Sequence, residues 1–180
     1  MSKFRNPNQS LRTRRALTLV ESVVAMAIVG VMLVAALNTV GASQVAQKKL
    51  GDRARATLLA QDLMSEILQQ AYEDPDGAAG SFGLGSDEVG AGNRALWEDV
   101  DDYNGWSAAP PQCKDGTVIP GFDGWRRIVE VKWVRTADHT IVDNTDTGVK
   151  RITVTVLYQD APLAKLVALR TNALQYEPGD

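Results

Sequence analysis

The chain has one cysteine and one histidine, and there is no proline between Pro7 and Pro75. Each scarcity excludes something. Cys113 has no intrachain partner, so packing must hold the fold, and its thiol is expected to be buried and inert. His139 lies in a polar turn region with no cysteine nearby. Neither a zinc site nor a histidine-dependent triad is therefore supported, and a surface histidine is expected. The glycines between 77 and 92 precede no helix of the kind that cradles phosphate. Basic charge is also short: 19 Lys and Arg stand against 22 Asp and Glu, a net of −3. Five of the basic residues (Lys3, Arg5, Arg12, Arg14 and Arg15) precede Leu17 with no acid among them. Without them, 14 basic residues would face 22 acids, a net of −8. Such a chain is a poor electrostatic match for nucleic acid.

Charge stops abruptly at Ala16. From Leu17 to Leu37 an α-helix would rise roughly 31 Å, the thickness of a bilayer's hydrocarbon core. One acid, Glu21, interrupts this run near its start. A carboxylate there costs less than the ~2.5–3.5 kcal/mol of a charge at the membrane centre, yet spanning a bilayer has no use for it. An acid in such a place is a functional-site candidate whose partner has to be named. The basic residues ahead of it favour a cytoplasmic N-terminus and send the rest across the membrane.

The segment Ala16-Leu17-Thr18-Leu19-Val20-Glu21 behind its basic leader resembles the processing and N-terminal methylation motif of type IV prepilins and type II secretion pseudopilins. The resemblance covers about twenty-five residues and joins leader charge, cut site, acid spacing and apolar length. It implies cleavage by a prepilin peptidase between Ala16 and Leu17, with Glu21 fifth in the mature chain. The family usually has Gly before the cut and Phe or Met after it; here the residues are Ala and Leu. The resemblance also implies a single-pass inner-membrane precursor with a periplasmic or extracellular C-terminal domain. Its expected partners are the peptidase, an inner-membrane assembly platform and other pilin or pseudopilin subunits. Two plainer readings stand beside it. A secretory signal could be cut after the small residues Val40-Gly41-Ala42, although Glu21 and the length of the run fit that poorly. A simple membrane anchor would leave Glu21 unexplained.

The expected organisation is a leader (1–16), a membrane-spanning half-helix (17–42), an amphipathic half-helix (43–72), a connecting region (73–125) and an antiparallel sheet (126–180). Ala46, Leu50 and Ala54 recur at helical spacing, as do Leu59, Leu63 and Ile67, so one helix should run to about Tyr72. Asp74-Pro75-Asp76-Gly77 should end it. A glycine-rich surface loop and an irregular, tryptophan-anchored stretch follow. Three strands are expected: 127–134, 151–158, and 163–171 after a turn at Asp160-Ala161-Pro162. Val129, Val131 and Trp133 should share one face, as should Ile152, Val154, Val156 and Tyr158. The fold class is α+β, with a long helix covering an antiparallel meander, the order found in pilins. The segment AQDLMSEI is similar to minor pilins and minor pseudopilins, and DVDDYNGW to loops of minor pilins of the mannose-sensitive haemagglutinin type.

No catalytic residues are expected. Only the acid pair Asp101/Asp102 offers an enzyme anything. Asp99, Asp101 and Asp102 carry the oxygen ligands that calcium prefers, but they miss the EF-hand spacing. A solvated turn with aspartates capping the backbone is the plainer expectation for them.

Overall fold

A computed structural model of the chain describes residues 18–75, 82–85 and 93–174. The expected leader, with Ala16 and Leu17, lies outside the described residues, as does most of the glycine-rich loop. The chain divides after Gln47 into two compact units.

One helix, α1 (Leu19–Leu68, 50 residues), crosses that division. No proline interrupts it, and Gly30, Gly41 and Gly51 are tolerated at about 1 kcal/mol each against alanine. In the first unit its apolar side chains are exposed throughout, from Leu19 and Val20 through Met26, Val31 and Leu37 to Val45. By length and composition α1 is able to cross a membrane. That makes it compatible with a single-pass anchor, a test that signal sequences and soluble core helices also pass.

In the second unit α1 buries one face. Ala56, Leu59, Ala60, Leu63, Met64 and Ile67 alternate at steps of three and one and enter the core. The packed face starts later than expected, because Leu50 and Ala54 are exposed. Helical periodicity reports which face is apolar; it does not report where the covering sheet begins. The helix also ends at Leu68 rather than near Tyr72. The amides of Gln69 and Gln70 turn back to the carbonyls of Glu66 and Ile67, three residues earlier. Ala71 then bonds with a different segment: its N–H donates to the Glu98 carbonyl and its carbonyl accepts from the Val100 N–H. Backbone groups that would have extended the helix are thus used by the connection.

The sheet has four antiparallel strands, one more than expected: β1 (Ser107–Ala108), β2 (Trp125–Trp133), β3 (Val149–Tyr158) and β4 (Ala161–Thr171), in the order β1-β2-β3-β4. β1 is two residues long and pairs with Ile128 and Arg127, too short for alternation to reveal it. On β2, Val129 and Val131 face inward; on β3, Ile152, Val154 and Val156 do the same. Leu166 and Ala168 of β4 pack on this core, while Val167 and Leu169 point out. The β3–β4 turn falls at Gln159-Asp160, both at positive φ (49° and 62°), the two-residue geometry whose twist suits a hairpin. Pro162 lies inside β4, opposite Leu157 and beside a register shift. An edge strand tolerates proline because its outward N–H has no ladder partner to lose. Long helix and antiparallel sheet form the two layers of an α+β domain.

Candidate functional site

Two regions carry candidate chemistry, and each lies within one unit. The first is the start of α1. Thr18 Oγ1 accepts the Glu21 N–H at 3.3 Å, and the Thr18 carbonyl accepts the Ser22 N–H at 3.1 Å. Thr18-x-x-Glu21 has the residue pattern of a capping box, and an acid in the first turn suits the positive end of the helix dipole. Glu21 is exposed. Further along, Thr39 Oγ1 donates to the Ala35 carbonyl at 2.9 Å and Ser43 Oγ to the Thr39 carbonyl at 3.0 Å. These hydroxyls find acceptors on their own helix, so they need no water in an apolar layer.

The second region is the connection between α1 and the sheet, and it departs most from expectation. Asp99, Asp101 and Asp102 form no solvated turn: all three are buried. Asp99 Oδ1 accepts the N–H groups of Asp101 (2.6 Å) and Asp102 (3.2 Å), and Asp102 Oδ2 accepts those of Glu98 and Asp99 at 3.0 Å each. The aspartates cap one another around a single 3₁₀ turn, Asp101–Tyr103. The Asp101 carboxylate meets the Lys150 ammonium, itself 1% exposed, and its other oxygen accepts the Gly83 N–H at 2.9 Å. Lys150 also donates to the Tyr72 carbonyl and stands over the Tyr72 ring at 4.3 Å. Burial pushes the Asp99 carboxyl up to about 8, helped by its hydrogen bond to Asp101 and the neighbouring acidic charges. Burial likewise raises the Tyr72 hydroxyl, which donates to Asp146 at 2.5 Å.

Beside this cluster lies a second buried network. Arg94, 1% exposed, meets Glu66 through Nε at 2.8 Å and Nη2 at 3.1 Å, and its guanidinium stacks 4.0 Å from the centre of the Trp106 ring. Tyr103 donates its hydroxyl to the same Glu66 at 2.9 Å. Arg127, fully buried on β2, reaches Asp62 at 3.1 Å and the Gln112 carbonyl. Burial, then the nearby Arg94 charge, pulls its guanidinium below the usual arginine value.

Among the described residues no group of three or more His, Cys, Asp or Glu is arranged to hold a metal ion. The oxygens proposed for calcium are largely taken by backbone N–H groups and by Lys150. Asp101 and Asp102 are enclosed, so they present no open acid pair to a substrate. His139 is exposed, as expected, and its carbonyl accepts from Arg151 at 2.9 Å. Cys113 is exposed, against the expectation of a buried thiol. It sits in a tight turn, its N–H donating to the Thr117 carbonyl and its carbonyl accepting from Gly116, with the ends pinned by the Gln112–Val118 bridge.

No family model matches this chain, and no curated protein or solved structure matches it. The functional reading therefore rests on its residues alone. Those that sequence reasoning missed are the buried cations Arg94, Arg127 and Lys150. For two of them a signal existed. Arg127 keeps the parity of Val129 and Val131, and Lys150 that of Ile152 and Val154, so both had to point inward.

Proposed function

We propose that the chain is a minor pilin or minor pseudopilin, processed between Ala16 and Leu17 and incorporated through its N-terminal helix into a type IV pilus or type II secretion pseudopilus. The observation that carries this reading is the single helical element Leu19–Leu68. It presents an apolar surface whose only charge before Lys48 is Glu21, and it ends as the core helix of an α+β domain. Cleavage before Leu17 creates an amino group four residues from Glu21, a positive charge held in the same apolar layer. Within one chain the two would lie on one helix face. Between chains, Glu21 would meet the Leu17 amine of a neighbouring subunit, and only that pairing selects a register along a filament. A signal peptidase cut after Ala42 would instead fall in the middle of α1.

The test has two parts. Intact mass of the membrane-extracted protein should place the N-terminus at Leu17, with Ala16→Arg blocking the cut; an N-terminus at Ser43 would overturn the reading. Glu21→Val and Glu21→Gln should both insert yet fail to copurify with filament subunits. Gln can still complete a capping box with Thr18. Wild-type incorporation of Glu21→Gln would therefore assign the acid to helix capping and not to subunit assembly.

A further inference from the structure

The buried Lys150–Asp101 pair has features that an ordinary ion pair does not need. Each side chain is at most 2% exposed, and the two are in direct contact. The ammonium is enclosed by the Tyr72 ring at 4.3 Å and the Phe82 ring at 5.9 Å. Taking two charges out of water costs several kcal/mol per ion, so such a pair is weak evidence for stability by itself. A third group completes the set: the Asp99 carboxyl sits beside Asp101, its Oδ1 accepting the Asp101 N–H at 2.6 Å. An amine, a carboxyl and an adjacent acid, dry and in contact, are the components of an amide condensation.

We propose that Lys150 and Asp101 join through a side-chain amide, with Asp99 as the acid that assists it. In the dry pocket the Lys150 ammonium passes a proton to the Asp101 carboxylate, leaving an amine and a carboxylic acid. The Nζ lone pair attacks Cγ, and the carbonyl π pair moves onto oxygen. The Asp99 carboxyl hydrogen-bonds that developing oxyanion. One nitrogen proton then moves to the Asp101 hydroxyl, the C–OH bond breaks, and water leaves as the amide carbonyl re-forms. One ammonium and one carboxylate give one amide and one water; Asp99 ends with its own proton, and no oxidant or reductant is required. Asp99 suits the role because burial keeps it protonated at neutral pH, its value pushed up to about 8. The Tyr72 carbonyl, which accepts from Nζ, orients the amine. The product replaces two buried charges with a neutral group and ties the 3₁₀ turn at Asp101 to β3 across 49 residues.

The test is mass spectrometry of the purified full chain. The folded protein should weigh one water less than its processed sequence requires. Its digest should yield a branched peptide joining the segments around Asp101 and Lys150, with no cleavage after Lys150. Lys150→Arg keeps the charge pair but cannot form the amide, and should show the full mass. Asp99→Asn keeps the backbone acceptor yet loses the acidic proton, and should lower the linked fraction at least tenfold. Recovery of Asp101 and Lys150 in separate peptides from folded protein would overturn the proposal. So would a water loss that maps to a succinimide at Asp115-Gly116. Full linkage in Asp99→Asn would overturn the role given to Asp99.

Discussion

Removing the Glu66 carboxylate should unfold much of the domain's stability margin. Glu66 is 16% exposed, and it is the acid that faces the almost fully buried Arg94 guanidinium with two charge-assisted bonds, at 2.8 and 3.1 Å. It also accepts the Tyr103 hydroxyl. Breaking a buried pair from one side leaves an uncompensated charge and costs roughly 3–5 kcal/mol. The orphaned hydroxyl of Tyr103 adds about 1 kcal/mol. Water can reach the partly exposed Glu66 position, which argues for the lower part of that range, about 4 kcal/mol in total for Glu66→Ala. Against a typical stability of ~5–15 kcal/mol that loss is large. For a fragment from Lys48 onward it corresponds to a fall in melting temperature on the order of 10–20 °C. Thermal and urea melts of that fragment measure it. The double variant Glu66→Leu with Arg94→Met removes both charges, so it should be more stable than Glu66→Ala alone. A loss under about 1 kcal/mol for Glu66→Ala, or a double variant no more stable than Glu66→Ala, would refute the claim that this pair is enclosed and interdependent.

Leu63→Asp, at a fully buried position on α1, should cost several kcal/mol and abolish cooperative melting. Leu58→Asp, at a 65% exposed position of the same helix, should melt within about 0.5 kcal/mol of the parent. Asp99 has a folded-state value raised to about 8, so its contribution to folding is full below the unfolded value near 4 and is lost as pH rises through 8. Melts between pH 5 and 9 should therefore show falling stability in the wild type, and Asp99→Asn should flatten that fall. Cys113 should react with a maleimide in the native protein as fast as in urea; strong native protection would place the thiol inside.

The elements were legible because their signals are local. Spacing along α1 identified Leu59, Leu63 and Ile67, and alternation identified the inward apolar residues of β2 and β3. What was not legible depends on distant partners. Asp101 reads as a solvated loop residue until Lys150, 49 residues on, fills the space beside it. The sequence around Arg94 gives no hint of burial, because Glu66 and Trp106 reach it only in the folded domain. The two residues of β1 become a strand through the bonds that Gly105 and Trp106 exchange with Val129, not through their own propensity. For Glu21 the reverse holds. Its position was plain in the sequence, and the structure adds only that its backbone N–H is capped by Thr18 Oγ1.

The helix-first order of this chain also dictates a timetable. A ribosome making ~5–20 residues per second releases α1 long before the strands that cover it. The Leu59 carbonyl waits 68 residues for Arg127, and the Gln70 carbonyl waits 100 residues for Arg170 on β4. That second interval is on the order of 5–20 seconds. Until β2 and β3 emerge, the Leu59–Leu63–Ile67 stripe is a sticky surface without its cover. The strands, by contrast, are sequence neighbours and can zip into hairpins as they emerge. The newborn domain must therefore keep its oldest residues from aggregating until its youngest arrive, and a holding chaperone would find its target on the helix.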